Sequence, residues 1–444
     1  MELLWEQSKA AHSIASYLDA AARAQPTDSL GFELEHFVVT KGEHAAVPYA
    51  SATEGQPGVE QVLRALAPYY TQQIQEVGTD AKVHLFGLAR DKTVITLEPG
   101  SQLEVSVGPL RQIAELEEYY RRFRDELDAV LEPLGLEIAT FGYHPSARAR
   151  DLTLLPKQRY FFMDKHFAQT GNHGICMMRA TASTQISVDY FSEADAVLKM
   201  RVATALGPLL AFVTDNTPVF EGQAVGQVAK GHAHHPLSPD KAQAMPARMA
   251  RMVCWDDTDP ERSLVAPGTF DEDFGFARYA ADLLRAPAIF TPALSNEEPA
   301  YRGFCSFANL LPDADLSEAA ILHILSMFFY DTRLKSYVEI RQADAMPLTY
   351  TLALVALIKG VFYNPAALSY YEKRFEFMDS AQVAFAKTAL RMHGYQALVY
   401  RRPASQWLDE LLRWAQDGLS ANERHYLRPL ADLITSRQTL LHLI

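Results

Sequence analysis

"VITLEPGSQLEVSVGPL" (residues 94–110) joins two β-prone apolar stretches across Pro99-Gly100, a turn signal, and sets one glutamate in each arm, Glu98 and Glu104. Side chains alternate faces along a strand. Glu98 therefore falls with Thr96, and Glu104 with Gln102 and Ser106, away from the aliphatic residues. Three more stretches repeat the pattern. In "GFELEHFVV" (31–39), Glu33 and Glu35 oppose Phe32, Leu34 and Val38. In "KSYVEIRQAD" (335–344), Tyr337, Glu339 and Arg341 oppose Val338 and Ile340. In "CMMRATASTQISVDY" (176–190), Arg179, Thr181, Ser183, Gln185, Ser187 and Asp189 would share one face of a strand expected over 175–190.

Each row alone reads as the wet face of a half-buried antiparallel sheet. Four rows together, three of them led by glutamate, read as more. Same-face neighbours sit about 7 Å apart, where two carboxylates repel by about 2 kcal/mol at an effective dielectric of about 20. A divalent cation relieves that repulsion. Mg²⁺ or Mn²⁺ takes hard carboxylate oxygens and usually shares its site with substrate phosphates. Arg179, Arg341 and Gln185 would then supply donors for an anion or a transition state.

The surrounding chain narrows the class. It has 444 residues, 48% hydrophobic and 21% charged, with a net charge of −13. That balance argues against a nucleic-acid or anionic-membrane partner, whose footprint is basic. Cys176, Cys254 and Cys305 are scattered, with no CxxC spacing, which suggests a reducing compartment. The N-terminal "MELLWEQSKAAHSIASYLDAAARAQP" reads as an amphipathic helix rather than a signal peptide, so a cytoplasmic protein is expected. The longest apolar stretches, "LTYTLALVALI" and "ATALGPLLAFV", look too short to span a bilayer. P-loop, protein-kinase, HExxH and GxSxG motifs are absent. "GHAHHP" (231–236), with His232, His234 and His235, reads as a polar loop rather than a metal site. Strands and helices mix without a βαβ rhythm, so the fold class is α+β with a mainly antiparallel sheet. A catalytic core over 1–345 with a helical part over 346–444, working as a single unit, is the expected organisation.

Several of these strings, in order, resemble the glutamate–cysteine ligases of the plant and proteobacterial type, with their actinobacterial branch. They are "GFELEHF", "ITLEPGSQLEVS", "PKQRYFFM", "MMRATASTQISVDY", "DNTPVFEG", "WDDTDPER" and "RLKSYVEIRQAD". The resemblance implies a glutamine-synthetase-like fold, a curved sheet forming a cup with helices outside. It implies ATP-dependent joining of the L-glutamate γ-carboxylate to the L-cysteine amine, with Mg²⁺, in a monomer or homodimer. By the same resemblance Glu33, Glu35, Glu98, Glu104 and Glu339 are metal-binding acids. Arg251, near Trp255, binds substrate glutamate, and Arg341 faces the transferred phosphate, with Arg262 beside the nucleotide. The match departs in two places. The family's arginine directly before the threonine is Ala180 here, with Arg179 one residue earlier, and its Gly-Gly after "TLEP" is Gly100-Ser101. Open alternatives are a ligase of the same fold with a different amine, a metal-assisted hydrolase using the same acids without ATP, and a non-catalytic binding protein.

Overall fold

The computed structural model describes residues 8–22, 27–51, 55–226, 245–291, 299–311 and 315–443. The histidine-rich stretch 231–236 lies outside them. Nine strands form the main sheet: β1 (Leu30–Thr40), β2 (Gln72–Val77), β3 (Val83–Arg90), β4 (Thr93–Leu97), β5 (Leu103–Leu110), β6 (Leu136–Ala139), β7 (Ser183–Val188), β8 (Thr332–Leu334) and β9 (Val338–Asp344). Their order is β8-β9-β7-β1-β5-β4-β3-β2, with β6 paired to the far end of β1, and every pairing is antiparallel.

The 94–110 stretch forms the β4–β5 hairpin. Its turn closes through Ser101 N–H to the Glu98 carbonyl (2.8 Å) and Glu98 N–H to the Gln102 carbonyl (2.9 Å). Gly100 is required by a close approach: a Cβ there would lie 2.1 Å from the Arg179 carbonyl oxygen. Ser101, where the resembling family has a second glycine, adopts a left-handed φ of 70°.

Pairing brings the glutamate rows side by side. Glu35 faces Glu104 across β1 and β5, Glu33 faces Gln185 across β1 and β7, and Thr96 faces Glu104 across β4 and β5. The opposite face carries Phe32, Leu34, Val105, Ile186, Val338 and Ile340, all buried. Helices cover that apolar face. Glu193–Val213 is apolar all round and buried from Val202 onward, as a core helix must be, and Ser192 caps its start by accepting from Asp195 N–H. It has the length and apolarity of a membrane span, which the sequence reading did not expect of its apolar stretch, yet 83% of that window is buried inside the protein. Gly207 lets it approach the sheet, since a Cβ there would meet Gln342 Nε2 at 2.6 Å. Leu348–Phe362, from the helical C-terminal part, packs on β7 and β1 and shares the main hydrophobic core.

One local reading is corrected. The strand expected over 175–190 is a helix, Gly174–Ala180, followed by β7 from Ser183. Pro109 lies near the end of β5, and the next helix starts at Ile113 behind a Gln112/Glu115 capping box. The stretch 316–333 is helical only over Glu318–Leu325, and Thr332 already belongs to β8.

Candidate active site

The polar face of the sheet is the floor of a cleft of about 440 Å³. Short helices wall it: Gln158–Phe167 with Arg159, Tyr160 and Met163, Gly174–Ala180 with Met177 and Met178, and Ala250–Asp256 with Trp255. Four acids line it, Glu33, Glu35, Glu98 and Glu104, together with five cations, Lys157, Arg159, Arg333, Lys335 and Arg341.

The acids are crowded. Burial, then repulsion from Glu33, Glu98 and Glu35, holds the Glu104 carboxyl well above the usual range, although Thr96 Oγ1 donates to it at 2.8 Å. Glu98 is pushed up to about 7, by burial first and Glu35 second. Glu35 is also raised by burial, against the pull of Arg251 and Ser183. Its oxygens accept from Ser183 N–H (2.8 Å), Ser183 Oγ (2.9 Å) and Gln185 Nε2 (3.0 Å). Carboxylates that resist ionising for want of positive charge are the donor set a hard divalent cation satisfies. Among the described residues no three acids converge on a ligand geometry as their side chains stand.

Glu339 differs from the other acids. It is fully buried and ion-paired to Arg333, Lys335 (2.9 Å) and Arg341 (2.9 Å). Burial opposes its charge, but these three cations overcome that and hold its carboxyl well below the usual range. Its place is therefore an anchor for the cationic wall, and the resemblance's assignment of it as a metal ligand does not fit its surroundings.

Arg341 owes its aim to a β-bulge. Ile340 pairs with Ile186 and Ala343 with Thr184, so Arg341 and Gln342 together oppose Gln185. Arg341 Nη1 donates to Glu339 Oε2 and Gln185 Oε1, and its guanidinium lies 5.7 Å from the Trp255 ring. Arg251 supports the bulge. Its Nη1 and Nη2 donate to the carbonyls of Gln342 and Arg341, both at 3.2 Å, and Nη1 sits 3.6 Å from Asp344 Oδ1. Arg251 is buried and does not line the cleft, but its Nε and the Trp255 Nε1 beside it are buried donors without an acceptor.

Besides Arg251 and Glu339, two further sequence-based candidates lie outside the cleft lining. Arg179, on a helix instead of a strand, grips both oxygens of Asp164 at 2.8 Å and the Leu152 carbonyl at 3.0 Å. Arg262 is fully buried, with donors spent on Asp259 (2.7 Å) and the carbonyls of Met327 (3.0 Å) and Pro287 (2.7 Å). Both serve the scaffold. In their stead the cleft has Lys157 and Arg159, which sequence reasoning left unassigned inside "PKQRYFFM". Tyr160 and Met163 there, with Phe167 just beyond, recur at buried helical spacing, a signal that the stretch is a helix.

No cysteine lines the cleft. Cys176 is pushed up to about 12 by burial and then Glu221, and Cys254 is also held well above the usual thiol range by burial. Burial thus disfavours the thiolate at both positions, and neither lines the cleft. Replacing Cys176, Cys254 and Cys305 together by alanine is expected to leave kcat of the same order. A folded triple variant without turnover would contradict this.

The comparisons with known proteins agree with the fold. The family model described as "Glutamate-cysteine ligase family 2(GCS2)" matches residues 29–440. A chloroplastic glutamate–cysteine ligase of Medicago truncatula is 26% identical over 96% of this chain and 79% of its own length. Its counterpart in Solanum lycopersicum is 29% identical over 64% of this chain and 51% of its own length. The chain spans 52% and 63% of the related enzymes of Arabidopsis thaliana and Nicotiana tabacum. The crystal structure of the Francisella tularensis glutamate–cysteine ligase in complex with AMP superposes with a TM-score of 0.53 at 13% identity, over 93% of this chain and 83% of that one, a likeness of fold. The model's match covers every strand of the sheet and all nine charged residues that line the cleft, and the chain belongs to glutamate-cysteine ligase family 2.

Proposed function

We propose that this chain joins the γ-carboxylate of L-glutamate to the amine of L-cysteine at the expense of ATP, through γ-glutamyl phosphate. The observation that carries the reading is the polarity of one cleft: a floor of crowded acids facing a wall of five cations, in a chain of this family. A hydrolase using the acids alone has no use for that wall.

Glu33, Glu98 and Glu104, with Glu35 beside them, would hold Mg²⁺, which when bound neutralises phosphate oxygens. Arg341, Arg333 and Lys335 are fixed by Glu339 before substrate arrives, so their charge costs no reorganisation during phosphoryl transfer. Lys157 and Arg159 extend the positive wall. Lys157 is held by Glu76 (2.8 Å), and Arg159 by the Ser326 hydroxyl (2.9 Å) and carbonyl (2.7 Å). The unsatisfied indole N–H of Trp255, which lines the cleft, supports a carboxylate-holding corner for glutamate, with Arg251 behind it as a buried positive charge. Met163, Met177, Met178 and Phe329 give the cleft an apolar side that limits water near the acyl phosphate.

The test is phosphate release from ATP with Mg²⁺, glutamate and a panel of amines: cysteine, serine, alanine, glycine and ammonia. Release should require glutamate, and kcat/KM for cysteine should exceed that for serine by about tenfold or more, the order expected when an apolar pocket discriminates side chains. Equal rates with another amine, or turnover without ATP, would overturn the reading.

A further inference from the structure

The helix Ser380–His393 lies far along the chain from the acid rows, yet one of its side chains reaches the cleft walls from behind. Lys387 is buried, and its ammonium is shared by two carboxylates, Asp256 Oδ1 and Asp331 Oδ2, both at 2.6 Å. Each carboxylate belongs to a different wall. Asp256 follows Trp255 on the helix Ala250–Asp256. Asp331 precedes β8, which carries Arg333, and its carbonyl accepts the backbone N–H of Arg341 at 3.1 Å. Arg391, one turn further on, also pairs with Asp256. Among the described residues Lys387 is the one cation within ion-pair distance of Asp331.

From this geometry we infer that Lys387 is a positioning residue: its shared ammonium fixes the separation between the Trp255 wall and the Arg333–Arg341 wall. The inference deepens the ligase reading and rests on it for the identity of the reaction. The Arg341 guanidinium lies 5.7 Å from the Trp255 ring centroid, and a displacement of about 1 Å in such a constellation costs up to about 100-fold in rate. The C-terminal helices thus act on the site through a side chain that meets neither substrate nor metal.

Lys387→Met alone would leave Asp331 buried and unpaired, so the test pairs it with Asp331→Asn, while Asp256 keeps Arg391. In the full-length double variant kcat should fall about 10- to 100-fold with KM for ATP and glutamate changed little. The chain has four tryptophans. With 5-fluorotryptophan labelling, the ¹⁹F resonance of Trp255, assigned by Trp255→Phe, should shift in the double variant while the other three stay in place. Asp256→Ala, at a half-buried position and with the Lys387–Asp331 pair intact, should move the same resonance and lower kcat in the same direction. This second variant decides the matter if the first does not fold. A folded variant with wild-type kcat and an unmoved Trp255 resonance overturns the inference, as does a loss of activity that follows melting temperature alone. The fluorine shift is read without substrates, so failure of the ligase reading and failure of this tether are separable.

Discussion

Arg341→Ala is expected to lower kcat by about 100- to 1,000-fold, the usual cost of removing one preorganised donor from a site of developing charge. The residue is held in advance. Glu339 and Gln185 take its Nη1, the Trp255 ring lies 5.7 Å from its guanidinium, and the bulge turns it onto the acid face. Its other donors carry no protein partner among the described residues, so they are available to a phosphate. Arg341→Lys should recover only a small part of the loss, because an ammonium keeps the charge but not the planar fork. If Arg341 acts mainly in the transition state, KM for ATP stays near its wild-type value in both variants. An alanine variant with near-normal kcat and a raised ATP KM would make Arg341 a ground-state binding residue instead.

The alternating glutamate rows were legible because strand periodicity is strict and Pro99-Gly100 fixes the hairpin: Glu33, Glu35, Glu98 and Glu104 meet where the period-two reading put them. The arginines were not legible in the same way. A guanidinium facing a ligand and one facing a backbone carbonyl look alike in sequence, and Arg262 and Arg251 are told apart from Arg341 only by tertiary contacts. Arg179 was misread for a local reason. "GICMMRA" is an apolar run without a turn signal, and such short runs fit helix and strand equally. The bulge at Arg341–Gln342 has no glycine to announce it, and depends on Arg251 holding the displaced carbonyls. The β2–β3 hairpin was missed because β2, "QQIQEV", is an exposed edge strand with no apolar face to create a pattern.

The acid floor makes an opposite pair of expectations for one substitution. Glu104→Gln should cut kcat about 100-fold or more at saturating Mg²⁺, yet raise the melting temperature of the metal-free protein. The sign follows from proton binding. The ordinary value for this carboxyl is 4.5, and in the folded protein it lies well above that. Between the two values the native state holds a proton that the unfolded chain has released, so stability from this group falls as pH rises from 4.5 through the raised folded value. Glutamine removes the penalty. The gain should be about 2–4 °C at pH 8 and close to nothing at pH 4, where both states are protonated. Glu98, pushed up to about 7, adds a second penalty in the same direction, in the window between 4.5 and about 7. Mg²⁺ should therefore stabilise the wild type more at pH 8 than at pH 6, since it must displace these protons at the lower pH. Melting curves with and without EDTA at both pH values, beside turnover at saturating Mg²⁺, measure all of this. A Gln variant that melts below wild type in EDTA at pH 8 would mean that the floor is not electrostatically strained. Near-normal turnover would remove Glu104 from the metal set. The two outcomes are independent because one reads the free protein and the other the working site. Carboxylates kept together against their own repulsion are stability given up for function, and a substitution that recovers the stability should lose the function.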